Sequence, residues 1–103
     1  MRKIFVAGNW KMKKTIAEAK DLVKALLPEI SQYENVDTAV APPYLAIPDV
    51  AELCQGTPLK VGAQNLFWEE SGAYTAEVAP AMVAEVCDFV IVGHSERRKF
   101  FGE

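Results

Sequence analysis

The chain has 103 residues, 50% of them hydrophobic and 24% charged, a balance that excludes disordered and fibrous classes and suits one globular domain. Its 11 Lys and Arg against 14 Asp and Glu leave a net charge of −3, so there is no basic footprint for nucleic acid. Cys54 and Cys87 have no paired spacing with each other or with the single histidine, which argues against a zinc site and a disulfide framework, and fits a reducing, cytoplasmic compartment.

From the amino terminus, Met1-Arg2-Lys3 is followed by too short an apolar stretch, Ile4 to Gly8, for a signal peptide. Ile4-Phe5-Val6-Ala7 reads as the first strand. Thr15 with Glu18 forms a capping-box signature for a helix whose apolar residues run Ile16, Ala19, Val23, Leu26, Leu27 and Ile30, and Pro28 is expected to kink or finish it. Thr38 to Ala41 is the second strand. A second helix carries Pro48 in its first turn and Gly56 as its stop. Leu59 to Ala63 is the third strand, Pro80 opens a third helix, and Phe89-Val90-Ile91-Val92 is the fourth strand. Glu85 and Asp88 interrupt the most apolar stretch, so no membrane span is expected.

Continuous apolar runs of this kind predict strands buried on both faces, the habit of parallel sheets. The order β-α-β-α-β-α-β, with strand centres about 29 residues apart, fits the roughly 31-residue unit of an eight-stranded (β/α) barrel. An open doubly wound, flavodoxin-like sheet that binds a phosphate at its strand ends would show similar spacing. Residues 1–103 thus read as one partial barrel domain of four strands and three helices. Half a barrel leaves two open edges, which also admits a noncatalytic module that assembles with itself or another chain.

In either architecture, sites gather at the carboxyl ends of strands. The first strand runs into Gly8-Asn9-Trp10-Lys11-Met12, placing a cation and an amide at one strand end. The third runs into Gln64-Asn65, and the fourth into Gly93-His94-Ser95-Glu96-Arg97-Arg98. His94 opens a helix start, where added positive charge is disfavoured, so a neutral imidazole able to donate a hydrogen bond is expected. Ser95 and Glu96 read as cap and first-turn acid, and Arg97-Arg98-Lys99 as a salt-bridged helix face paired with acidic neighbours. The connection from Asn65 to Glu77 is long for its class, and Phe67, Trp68 and Tyr74 make it apolar, the composition of a loop folded against its own domain or of a protrusion that docks on a partner subunit.

Together Gly8-Asn9-Trp10-Lys11-Met12, Gly62-Ala63-Gln64-Asn65 with Gly72-Ala73-Tyr74-Thr75, and Gly93-His94-Ser95-Glu96-Arg97-Arg98 closely resemble the triosephosphate isomerase family, in its order and spacing. The resemblance implies a (β/α)₈ barrel and the interconversion of dihydroxyacetone phosphate and glyceraldehyde 3-phosphate through an enediolate, in glycolysis and gluconeogenesis. It implies a cytoplasmic homodimer with no metal or organic cofactor. By similarity, Asn9 and Lys11 bind substrate, and Lys11 lends positive charge to phosphate and enediolate. His94 is the electrophile, a role carried over from the family, whose neutral imidazole is itself the standard illustration of that chemistry. Glu96 is the acid that holds Lys11, and Thr75, flanked by Tyr74 and joined by Phe67, lies in the dimer loop.

Three departures accompany the match. The sequence stops before the family's glutamate base, its lid and its later phosphate loops, so the 103 residues alone are expected to be inactive. Ala76 stands where the family usually has glycine, and a left-handed backbone there would cost about 1–2 kcal/mol. Lys13 replaces a small polar residue in the first loop.

Overall fold

The structure, a computed structural model, describes residues 2–103, so the reading that begins at Met1 lies partly outside the described residues. Four strands, β1 (Ile4–Asn9), β2 (Val36–Ala41), β3 (Leu59–Ala63) and β4 (Phe89–Val90), alternate with helices α1 (Ile16–Ile30), α2 (Ile47–Cys54), α3 (Pro80–Val86) and α4 (Ser95–Phe101). A 3₁₀ turn, Tyr44–Ala46, leads into α2.

The strands pair in parallel in the order β1-β2-β3-β4. The ladder runs from Ile4 opposite Val36 to Asn9 opposite Ala41, then pairs Val40 with Val61 and Gly62 with Phe89. A sequential order has no reversal, so there is no topological switch point, and the flavodoxin-like alternative is excluded.

Adjacent strands lie about 4.8 Å apart, which would separate β1 from β4 by about 14 Å in a flat sheet. The rings of Phe5 and Phe89 nevertheless meet edge-on, with centroids 5.8 Å apart. The sheet is therefore curled, with these two rings on its concave face. Gly62 lies beneath Phe89, and a Cβ there would enter the ring's van der Waals envelope. Four parallel strands in a curled half-barrel fit the amino-terminal part of a (β/α)₈ barrel.

The convex face carries the core. Ala19 and Val23 of α1, Ile47, Val50 and Cys54 of α2, and Val83 of α3 pack against Val40, Leu59, Val61 and Ala63 of the sheet. Thr15 caps α1 as expected: its side chain accepts from the Glu18 amide while the Glu18 carboxylate accepts from the Thr15 amide. Pro48 sits in the first turn of α2, Gly56 follows its end at φ +75°, and Pro80 begins α3.

Four expectations need correction. Burial on both faces holds for the carboxyl halves of β2 and β3 but not for β1, where Ile4, Phe5 and Val6 are 62%, 52% and 56% exposed. The helix layer covers the middle of the sheet and leaves its first strand open. Pro28 does not finish α1, which runs on to Ile30, and Ser31 and Gln32 serve the Leu27 and Pro28 carbonyls left over at the helix end. The fourth strand is shorter than its apolar run, although the Asp88 and Ile91 amides extend its pairing to Val61 and Ala63 at 2.7 and 2.9 Å. The count of three helices becomes four, since the helix start expected at His94 grows into α4.

Candidate active site

The carboxyl ends of β1, β3 and β4 converge on one cluster. Asn9 closes β1, and its Oδ1 accepts from the Lys11 backbone N–H at 3.0 Å. Lys11 takes a left-handed backbone at φ +56°, a conformation that residues with a Cβ rarely adopt. Asn9 thereby uses its oxygen locally, and its Nδ2 stays available as a donor.

The Lys11 Nζ donates to Glu96 Oε1 at 2.6 Å, joining segments 85 residues apart in the chain. This hydrogen bond, reinforced by the ammonium charge, holds the Glu96 carboxyl below the usual carboxylate range. Both side chains are roughly half exposed, so the pair adds little to stability, and its consequence is geometric.

His94 is the N-cap of α4, and its Nδ1 accepts from the Glu96 backbone N–H at 3.1 Å. An acceptor nitrogen carries no proton, so the neutral ring bears its hydrogen on Nε2. Glu96 Oε2 also lies 3.9 Å from Nδ1. Ser95, expected as the cap, is instead the first helical residue, because the imidazole occupies the capping position. Gly93 turns the chain at φ +70° with open space where a Cβ would lie, so it is there for its backbone and not for room.

The basic run is paired internally. Arg97 engages Glu103 and lies 4.3 Å above the Phe101 ring, and Arg98 Nε donates to the Gly93 carbonyl at 3.0 Å. Arg97 also borders a hollow of about 220 Å³ with Tyr44, Asn65 and Glu77. Burial pushes the Tyr44 phenol up to about 12, and its hydroxyl donates to the Asn65 carbonyl. Burial likewise raises Cys54 and Cys87, both free thiols, so neither is an activated nucleophile.

The long loop folds on itself at its neck, where the Phe67 N–H donates to the Val78 carbonyl at 2.8 Å. Phe67 stacks on Trp68 at 4.1 Å and meets Tyr74 at 4.6 Å. Trp68 is nonetheless 73% exposed, and Tyr74 and Thr75 are exposed with it. Among the described residues no hydrogen bond joins Thr75 to the Lys11, His94 and Glu96 cluster. Ala76 stands at φ +77°, the left-handed condition on which its cost depends, and Lys13 is exposed.

A depression of about 880 Å³, lined by Asp37, Thr57, Glu85 and Asp88, lies at the amino ends of the strands. It is large but remote from the cluster. One contributor escaped the sequence reading of roles: Gln64, just past β3, donates through Nε2 to the Lys11 and Ala41 carbonyls at 2.9 and 2.8 Å. The sequence marks Gln64 as a strand-end amide within Gly62-Ala63-Gln64-Asn65, without marking the carbonyls it serves.

The family model described as triosephosphate isomerase matches residues 4–103. The chain is 45% identical over 103 residues to a triosephosphate isomerase of Dehalococcoides mccartyi, and 52% and 51% identical over 104 residues to those of Clostridium novyi and Clostridium botulinum. Each match covers all of this chain and 41% or 42% of the relative, so the chain spans about two fifths of the length of these curated relatives.

Proposed function

This chain belongs to the triosephosphate isomerase family, and from that premise we propose that its strand-end cluster binds a triose phosphate and supplies part of the machinery interconverting dihydroxyacetone phosphate and glyceraldehyde 3-phosphate. The observation carrying this reading is the cluster itself: a lysine, an amide donor and an Nε2–H imidazole drawn together by the Lys11–Glu96 bond and the His94 cap. Lys11 offsets the charge of the phosphate and of the developing enediolate. His94 Nε2–H donates to the carbonyl oxygen that becomes the enediolate, and Asn9 Nδ2 donates to a second substrate oxygen. Glu96 holds the Lys11 ammonium and takes no proton from carbon. These steps need no metal or organic cofactor.

Proton abstraction needs a free carboxylate, and the one beside His94 is engaged by Lys11. The 103 residues by themselves therefore bind substrate without turning it over. We assign the exposed aromatic loop, with Phe67, Tyr74 and Thr75, to a homodimer contact, and the reaction to cytoplasmic glycolysis and gluconeogenesis. A noncatalytic half-barrel that assembles through its open edges is the second reading, favoured by the exposure of Ile4, Phe5 and Val6.

Amide NMR titration with dihydroxyacetone phosphate separates the two readings. Substrate binding shifts Asn9, Lys11 and His94, and Lys11→Met weakens it at least about tenfold, equivalent to roughly 1.4 kcal/mol. An unresponsive cluster, together with assembly of the chain in sedimentation, supports the noncatalytic module instead. Isomerisation by the mass-verified chain well above the solution rate would overturn the absence of a base.

A further inference from the structure

We propose that Gln64 is a positioning residue for Lys11: its carboxamide clamps the Lys11 carbonyl to the end of β2, keeping the lysine in the left-handed backbone conformation that directs its ammonium to Glu96. This assignment rests on the reading of Lys11 as the substrate-binding cation, although its test needs no substrate.

A left-handed residue with a side chain persists only where its surroundings hold it. Both backbone polar groups of Lys11 are held by side chains: the N–H by Asn9 Oδ1 at 3.0 Å and the carbonyl by Gln64 Nε2 at 2.9 Å. The second Gln64 bond, 2.8 Å to the Ala41 carbonyl, anchors the clamp to the sheet. That carbonyl also accepts the Trp10 N–H at 3.1 Å, so one β2 oxygen fixes the chain just before Lys11 and the glutamine just across from it. The orientation of the amide follows from its partners. Both are carbonyl oxygens, which only accept, and a carboxamide nitrogen has two protons to offer them.

Gln64 thus spans the ends of three strands. Asn9 and Gln64 divide the task, each restraining one end of the same peptide unit pair around Lys11. Apolar packing does not substitute for this restraint, because Lys11 is exposed, and the Glu96 pair holds only the ammonium and not the backbone.

The test is a carboxyl-carbon NMR titration of the whole chain and of Gln64→Met, which keeps length and removes both donors. Lys11 and His94 are the groups that act on Glu96, whereas Glu18 is lowered by its bonds to Thr15 in the α1 cap and serves as the internal reference. In Gln64→Met the Glu96 midpoint rises toward its value in Lys11→Met while the Glu18 midpoint stays. A Glu96 midpoint unchanged in folded Gln64→Met overturns the proposal.

Should that variant fail to fold, exchange of the Gln64 carboxamide protons with water in the unaltered chain decides the matter. Both exchange at least about tenfold more slowly than those of exposed Gln55; equal rates refute the clamp. A chain that ignores dihydroxyacetone phosphate yet shows the Glu96 response loses the substrate reading and keeps the clamp.

Discussion

At the scale of single residues, backbone conformation decides more here than side-chain charge. Lys11 and Ala76 both occupy the left-handed region, but only Lys11 has two side chains holding its peptide groups. At Ala76 the methyl group opposes that conformation, so Ala76→Gly is expected to stabilise the chain by about 1 kcal/mol once glycine's extra unfolded-state entropy is deducted. Urea denaturation would register this as a higher midpoint with an unchanged slope. Glu96 shows the complementary pH effect. Its folded carboxyl ionises below the ordinary glutamate value of about 4.3, so its contribution is present above that pH and is lost as pH falls through the folded value. In Lys11→Met this part of the acid dependence disappears, which stability curves collected from pH 6 to pH 3 would reveal.

At the scale of elements, local chemistry was legible wherever neighbouring residues supply it. The capping box at Thr15 and Glu18, Pro48 and Pro80 at helix starts, and Gly56 after α2 all act within one turn. Thr15→Ala is expected to cost about 1 kcal/mol at neutral pH. Because Thr15 holds Glu18 ionised below its ordinary range, that penalty shrinks as pH falls through the folded value of Glu18. Paired melts at pH 7 and pH 3 provide the check. Helix α4 was legible at its start, from His94 to Glu96, but not as a whole element, because it buries none of its residues and so has no apolar period to display; the His94 cap bounds it at one end and the Arg97–Glu103 pair and Gly102 at the other. The meeting of β3 with β4 was equally silent, since nothing near Gly62 in the chain announces the Phe89 ring. Gly62→Ala forces that ring aside and is expected to destabilise by about 1–3 kcal/mol, with Phe89→Leu in the same chain recovering part of the loss. A double-mutant cycle measures that coupling.

At the scale of the molecule, parallel order and repeat length were readable from periodicity, whereas curl and exposure were not. Burial is a property of neighbours, and an apolar run such as Ile4 to Ala7 specifies a strand without specifying what covers it. The cluster at the strand ends has the same character. Asn9, Lys11, His94 and Glu96 each stood out as strand-end residues, but the 2.6 Å approach of Lys11 to Glu96 arises only when the curled sheet brings β1 toward β4. Gln64 completes that convergence from β3, and its role depends on two carbonyls that no sequence pattern marks. The central claim is that this convergence presents His94 as an Nε2–H donor to a triose phosphate carbonyl. With one histidine in the chain, ¹⁵N labelling of histidine yields a single pair of ring signals. The account predicts an unprotonated Nδ1 and a protonated Nε2 whose signal moves when dihydroxyacetone phosphate is added and stays still in Lys11→Met. A proton on Nδ1, or an Nε2 signal indifferent to the ligand, would contradict it.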